Sequence, residues 1–225
     1  MKNILIAGAG KGIGLATAQL LQNEYHLSLI TRTETEAIKN IRGNLFFLDI
    51  VKDNTSELDT LPEDLHGLLY CPGSITLKPF TRLTPDDFIN DFYQNVLGAV
   101  KLIQYCLPRL KKSGGASVVL FSTVAVQTGM AFHSSIAVAK AGVEGLCRSL
   151  AAELAANKIR VNAIAPSLTN TPLAAGLLNT TEKMEASAKR HPLMRIGDAN
   201  DIAALAAFLI SDNASWITGQ VILYQ

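Results

Sequence analysis

The segment Ala7-Gly8-Ala9-Gly10-Lys11-Gly12-Ile13-Gly14 follows an apolar run over residues 4–7 and leads into a stretch with helical spacing. Four glycines in seven residues are more than a tight turn needs. Glycine reaches positive φ and admits a second backbone or a ligand at close range, so Gly8, Gly10, Gly12 and Gly14 between strand and helix read as a cradle for phosphate. The helix that follows would aim its free N–H groups, and the positive end of its dipole, at that anion. The spacing is Gly8-x-x-x-Gly12-x-Gly14, and the strict Gly-x-Gly-x-x-Gly dinucleotide fingerprint is not matched.

Beyond this loop, strand-length apolar runs alternate with longer helical patterns. Residues 4–7 are followed by a helix from about Ile13 to Asn23, with Ala16, Leu20 and Leu21 on its apolar face. Strand-length runs follow at 27–30, 45–48 and 65–71. A long helical segment opens at Thr84-Pro85-Asp86-Asp87, which carries N-terminal capping signals, and runs through Asn95 to Leu107 with room for a break. Strands at 117–121, 160–164 and 220–223 alternate with helices at 134–156 and 200–211. This order predicts an α/β fold: one Rossmann domain over residues 1–225, with a doubly wound, mainly parallel sheet flanked by helices on both faces. Ligand is expected at the carboxyl ends of the strands.

A chain of 225 residues with 48% hydrophobic content can bury the core of such a domain. The net charge of +1 is spread along the sequence and leaves no electrostatic footprint for nucleic acid or an anionic membrane. No apolar run is long enough to span a bilayer, and the N-terminus lacks the pattern of a secretory signal. Cys71, Cys106 and Cys147 are odd in number and far apart, which fits buried free thiols in a reducing cytoplasm better than disulfides or a metal site.

The end of the second strand bears on the choice of cofactor. An acid there would accept hydrogen bonds from the adenosine ribose of NAD and repel a 2′-phosphate. The chain instead reads Thr31-Arg32, and Lys11 inside the glycine loop adds a second cation, so the expected cofactor is NADP(H). The alternative is that both are ordinary surface charges. Asp49, ending the third strand, is expected either to bind the adenine amino group or to cap its own loop.

With these motifs in place the chain resembles the short-chain dehydrogenase/reductase family, from the first strand to the last. The resemblance rests on the glycine loop with Ile13, on Asp49, and on Tyr70-Cys71-Pro72-Gly73 where the family usually has Asn-Asn-Ala-Gly. It continues through Asn95 in QNVLGAV, FSTVAVQTG, Lys140, VNAIAPSLTNTP with Pro166 and Thr171, and the C-terminal HPLMRIGD segment, which is similar to 3-oxoacyl thioester reductases. Ser167 stands where a glycine usually follows the proline.

The resemblance implies a Tyr-x-x-x-Lys pair on one helical face, in which lysine holds the nicotinamide ribose and lowers the phenol pKa. Lys140 and Asn95 match that pattern, and Thr123 takes the place of the serine that binds the carbonyl oxygen, with Ser122 beside it. The tyrosine position is Ile136. Tyr70 lies at a strand end from which it could reach the site. His133, seven residues before Lys140, has the spacing at which related enoyl reductases carry their tyrosine, or else it caps the helix or faces solvent.

The expected function is therefore an NADPH-dependent oxidoreductase of a small molecule, reducing a carbonyl such as a 3-oxoacyl group or an activated alkene at an atypical site. The alternatives are an inactive NADPH-binding sensor or oligomer subunit, and a purely structural protein. Residues 171–191 should hold the lid. The resemblance further implies a homodimer through two long helices and allows a homotetramer.

Overall fold

Seven strands form one parallel sheet in the order β3-β2-β1-β4-β5-β6-β9 in the computed structural model, which describes residues 1–225. They are β1 (Asn3–Ala7), β2 (His26–Thr31), β3 (Asn44–Phe47), β4 (Gly67–Tyr70), β5 (Ala116–Phe121), β6 (Ile159–Pro166) and β9 (Val221–Tyr224). Two-residue strands β7 (Thr169–Asn170) and β8 (Gly197–Asp198) make a separate parallel ribbon. In the main sheet Ile6 pairs with Leu29 on one side and Leu69 on the other, and every ladder is parallel. Strands covered on both faces lose the polar alternation of a half-wet sheet, which is why β5 is buried at all six positions.

The helices are α1 (Gly12–Leu21), α2 (Glu36–Lys39), α3 (Pro85–Phe92), α4 (Gly98–Lys112), α5 (Ala125–Thr128), α6 (Ser134–Leu154), α7 (Thr181–Ala188) and α8 (Ala199–Ile210). Leu102, Cys106 and Leu110 of α4 pack with Val143, Cys147 and Leu154 of α6 on one face of the sheet. Ala18 and Leu21 of α1 pack with Ile202, Ala206 and Leu209 of α8 on the other. This is the expected single-domain Rossmann-like fold. Leu20 departs from its expected place on the apolar face of α1, being largely exposed while Leu21 takes the core position.

The segment read as one helix from Thr84 to Leu107 differs in detail. Thr84 and Asp87 form a capping box that starts α3. The helix then widens into a π turn, Tyr93–Leu97, in which the Gly98 N–H reaches back five residues to the Tyr93 carbonyl. Helix α4 continues through Pro108 to Lys112, five residues past the expected end. Proline removes one hydrogen bond there. Burial of Leu110 and the closing cations Arg109, Lys111 and Lys112 favour the continuation.

The π turn also decides the fate of Tyr70. Its hydroxyl donates to the Gln94 carbonyl at 2.8 Å, and Gly98 leaves the room, since a Cβ there would collide with Tyr70 Oη. Burial, reinforced by Asp49 and Cys71, pushes this phenol above the ordinary tyrosine range. Tyr70 is thus a strut between β4 and the π turn, and its hydroxyl faces away from the substrate role its strand-end position allowed. Tyr70→Phe is expected to cost about 1–3 kcal/mol by taking the buried Tyr70 hydroxyl away from the Gln94 carbonyl. Thermal unfolding should report that loss, while any NADPH oxidation by the variant stays at the parental rate.

Candidate active site

Two cavities open at the carboxyl ends of the strands, where the sheet order reverses between β1 and β4. The smaller, about 210 Å³, is walled by Gly8, Gly10, Lys11, Gly12 and Ile13 from the glycine loop. Thr31, Arg32, Asp49 and Thr171 close its other sides. Gly14 does not reach the cavity. A Cβ on it would collide with the Gly8 carbonyl, so its role is to let α1 pack against the loop. Gly8 has φ +77°, and a Cβ there would lie 3.0 Å from the Pro72 backbone nitrogen.

Lys11 occupies the N-cap of α1 in extended conformation and makes no side-chain cap, so the first-turn N–H groups keep no side-chain partner. Asp49 caps its own loop, one of the two roles expected of it. Oδ1 accepts the Val51 N–H at 3.0 Å, and Oδ2 lies 3.8 Å from the exposed Arg32 guanidinium. Pairs this long and this exposed are worth about 0–1 kcal/mol, so Arg32 stays available to a stronger anion. An uncapped helix N-terminus beside two cations fits a dinucleotide carrying an extra phosphate.

The larger cavity, about 760 Å³, contains Lys140, Thr123, Ile136, His133, Pro166 and Thr171. Lys140 Nζ donates to the Phe121 carbonyl at 2.7 Å. Burial pulls its pKa down to about 8, against the opposing influence of Cys71 and Asp91. Asn95, 1% exposed in the π turn, donates through Nδ2 to the Asp91 carbonyl at 2.8 Å and to Ser74 Oγ at 3.1 Å. Its Oδ1 is buried with no partner. A Cβ on Gly73 would fall 3.0 Å from that orphan oxygen and 3.7 Å from Lys140 Nζ, so glycine leaves a gap shared by the two. A buried acceptor of this kind is costly until a donor arrives.

The neighbouring hydroxyls have separate tasks. Ser122 is buried and donates to Glu144 at 2.9 Å. Thr123 Oγ1 accepts the Ala125 N–H at 3.3 Å, and the residue lines the cavity. Ile136, 3% exposed, sits one turn before Lys140 and offers no polar atom. His133 occupies the N-cap position of α6, yet its ring does not cap the helix. Nδ1 lies 2.7 Å from the Ala131 carbonyl, which leaves Nε2 unengaged.

Three features escaped the sequence reading. Asp91, buried in α3, accepts from Ser74 Oγ at 2.6 Å, Ser135 Oγ at 2.7 Å and Thr76 Oγ1 at 3.3 Å, tying the loop after β4 to α6. Ser167 Oγ and His191 Nε2 meet at 2.7 Å on the wall of the larger cavity. The replacement of a usual glycine by Ser167 was the available signal for that pair. Cys71 is not a core thiol like Cys106 and Cys147 but lines both cavities, and burial pushes it up to about 12, which keeps it protonated. No group of three or more His, Cys, Asp or Glu is gathered to hold a metal. No helix is long and apolar enough to cross a membrane.

Residues 8–224 match a family profile described as enoyl-(acyl carrier protein) reductase. The chain is 32% identical over 235 residues to a tropinone reductase homologue of Arabidopsis thaliana, covering 98% of this chain and 90% of that protein. Among solved structures, a short-chain type dehydrogenase/reductase from Mycobacterium ulcerans superposes with a TM-score of 0.89 at 28% identity, covering 99% of this chain and 87% of the other. A protein of Thermus thermophilus reaches a TM-score of 0.91 at 28% identity, covering 100% and 97%. With the strand order, the glycine loop and the Lys140 site already in place, this likeness over the whole chain leaves one conclusion: the protein belongs to the short-chain dehydrogenase/reductase family.

Proposed function

We propose that the protein is an NADPH-dependent reductase of a small carbonyl compound, with 3-oxoacyl groups and activated alkenes within its reach. The observation that carries this reading is the gap at Gly73, bordered by the Lys140 ammonium and the orphan Asn95 Oδ1. A ribose hydroxyl or an ordered water is the donor that suits it. Lys11 and Arg32 suit a 2′-phosphate at the far end of the groove. NADPH, when bound, supplies the hydride. Thr123 would hold the substrate oxygen and Lys140 its positive field. The proton comes from a group other than a phenol, His133 or a water being the candidates that the sequence provides. A relative named as a tropinone reductase homologue favours a ketone.

Ile136 favours a second reading, in which the chain binds NADPH without turnover. A homodimer suits the exposed apolar residues Ile89, Phe92, Tyr93, Leu97 and Val138 on α3, the π turn and α6. Phe208, Trp216 and Leu223 are further exposed apolar residues in the last twenty positions of the chain. Three free thiols suit a reducing cytoplasm.

Substrate-dependent NADPH oxidation over a panel of cyclic ketones, 3-oxoacyl thioesters, enoyl thioesters and quinones tests the reductase reading. Saturable binding without oxidation on any of them would favour the inactive one. Arg32→Ala is expected to weaken NADPH by about 10- to 100-fold, from loss of a charge-assisted bond, with NADH affinity nearly unchanged in the same fluorescence titration. Where water alone supplies the proton, Ile136→Tyr should raise kcat by roughly 10²–10⁴, the usual contribution of a placed acid. Because burial lowers the pKa of Lys140, its ammonium gives way to the amine as pH rises through about 8. Turnover should therefore decline on the alkaline side of that value.

A further inference from the structure

We propose that Ser167 and His191 form the proton-transfer pair of the substrate cavity, the Ser167 hydroxyl meeting the substrate oxygen and His191 exchanging protons with it. The inference rests on the reductase reading and supplies the donor missing at Ile136, in place of His133.

Strand β6 delivers Ser167 just past its carboxyl end, and its backbone is held on both sides. The Ser167 N–H donates to the Tyr224 carbonyl at 2.9 Å, and the Ser167 carbonyl accepts from Thr169 Oγ1 at 2.9 Å. Its Oγ lies 2.7 Å from His191 Nε2. The other ring nitrogen, Nδ1, lies 2.8 Å from the Ser187 carbonyl, which can only accept. Nδ1 therefore carries the ring proton, and Nε2 accepts from the Ser167 hydroxyl. His191 is 8% exposed, so a ring held at both nitrogens keeps one orientation.

A hydroxyl on a base whose second nitrogen is fixed by a third group is the arrangement that moves protons from an otherwise weak acid. Both residues line the cavity that also holds Ile136, Thr123 and Lys140. Arg190, which donates to Ser187 Oγ at 3.1 Å, is the charged neighbour on the same wall. By contrast His133 follows the exposed residues Met130, Ala131 and Phe132, and one nitrogen alone is held. Preorganisation thus favours the buried pair.

In the reducing direction hydride from NADPH adds to the carbonyl carbon, and the π electron pair moves to oxygen. That oxygen takes the Ser167 proton, forming the alcohol. Ser167 recovers a proton from Nε2 of a His191 imidazolium, which returns to neutral imidazole and is recharged from water. NADPH is oxidised and the carbonyl reduced. Alcohol oxidation reverses each transfer and starts from the neutral ring that the Ser187 carbonyl selects.

The test combines NADPH oxidation over the panel above with NMR of the cofactor-free protein. Ser167→Ala and His191→Gln, checked for folding by circular dichroism, are expected to lower kcat by about 10²–10⁴ with KM and NADPH affinity nearly unchanged. The double variant should be no worse than either single one, and Ser167→Thr should recover part of the rate. Long-range ¹H–¹⁵N spectra should show His191 with Nδ1 protonated, and Ser167→Ala should displace its Nε2 resonance. Ser167→Gly replaces any variant that does not fold. An Nε2-protonated neutral His191, or parental kcat in folded Ser167→Ala and His191→Gln, overturns the pair while leaving the reductase reading intact. A parent that binds NADPH and reduces nothing on the panel overturns both.

Discussion

Parallel strands need crossovers, and between β1 and β4 the crossovers turn in opposite directions, so no connecting segment covers the strand ends there. The crevice that results sets the demands on everything around it. Backbone must approach backbone closely at its floor, which Gly8 and Gly14 permit. Helix α1 must begin there without a side-chain cap, which leaves its amide dipoles directed at whatever enters. The sheet order alone thus brings the glycine loop, Arg32, Cys71 and Thr171 to one groove although they are scattered through the sequence.

The second demand is electrostatic. Asp91 is a buried ionisable side chain and Lys140 a half-buried one, and each is satisfied differently. The Asp91 carboxylate is enclosed by three hydroxyls from the loop after β4 and from α6, while the Lys140 ammonium rests on the Phe121 carbonyl. Hydroxyls can point protons at an anion without introducing a countercharge, so Asp91 is satisfied and still contributes its field to Lys140. The same bonds fix α6 against α3, and with it the distance from Lys140 to Asn95. Fold and site are coupled here through one buried carboxylate.

How far this could be read in advance depends on the range of the interaction. Strand and helix order follow from local periodicity, and the placement of Lys140 on α6 follows from a spacing of a few residues. The π turn was not legible, because nothing in Tyr93–Leu97 by composition separates a five-residue reach from a four-residue one. Whether Tyr70 faced the cleft or the core depended on Gly98, 28 positions away in sequence, and on a carbonyl that only the wide turn presents. The hydroxyls around Asp91 come from separate segments, and Ser167 meets His191 across 24 positions. Such contacts exist only once the sheet has assembled. Ser167 was visible as an unusual residue, but its partner was not.

Trp216 is the chain's single tryptophan, and at 96% exposure it stands almost wholly in solvent. Its indole in an isolated subunit already has a water-like environment, so unfolding changes its emission little. Covering the indole with another surface would shift that emission to the blue. The molecule thus carries a built-in optical marker that is nearly blind to its own folding and responsive to the company it keeps.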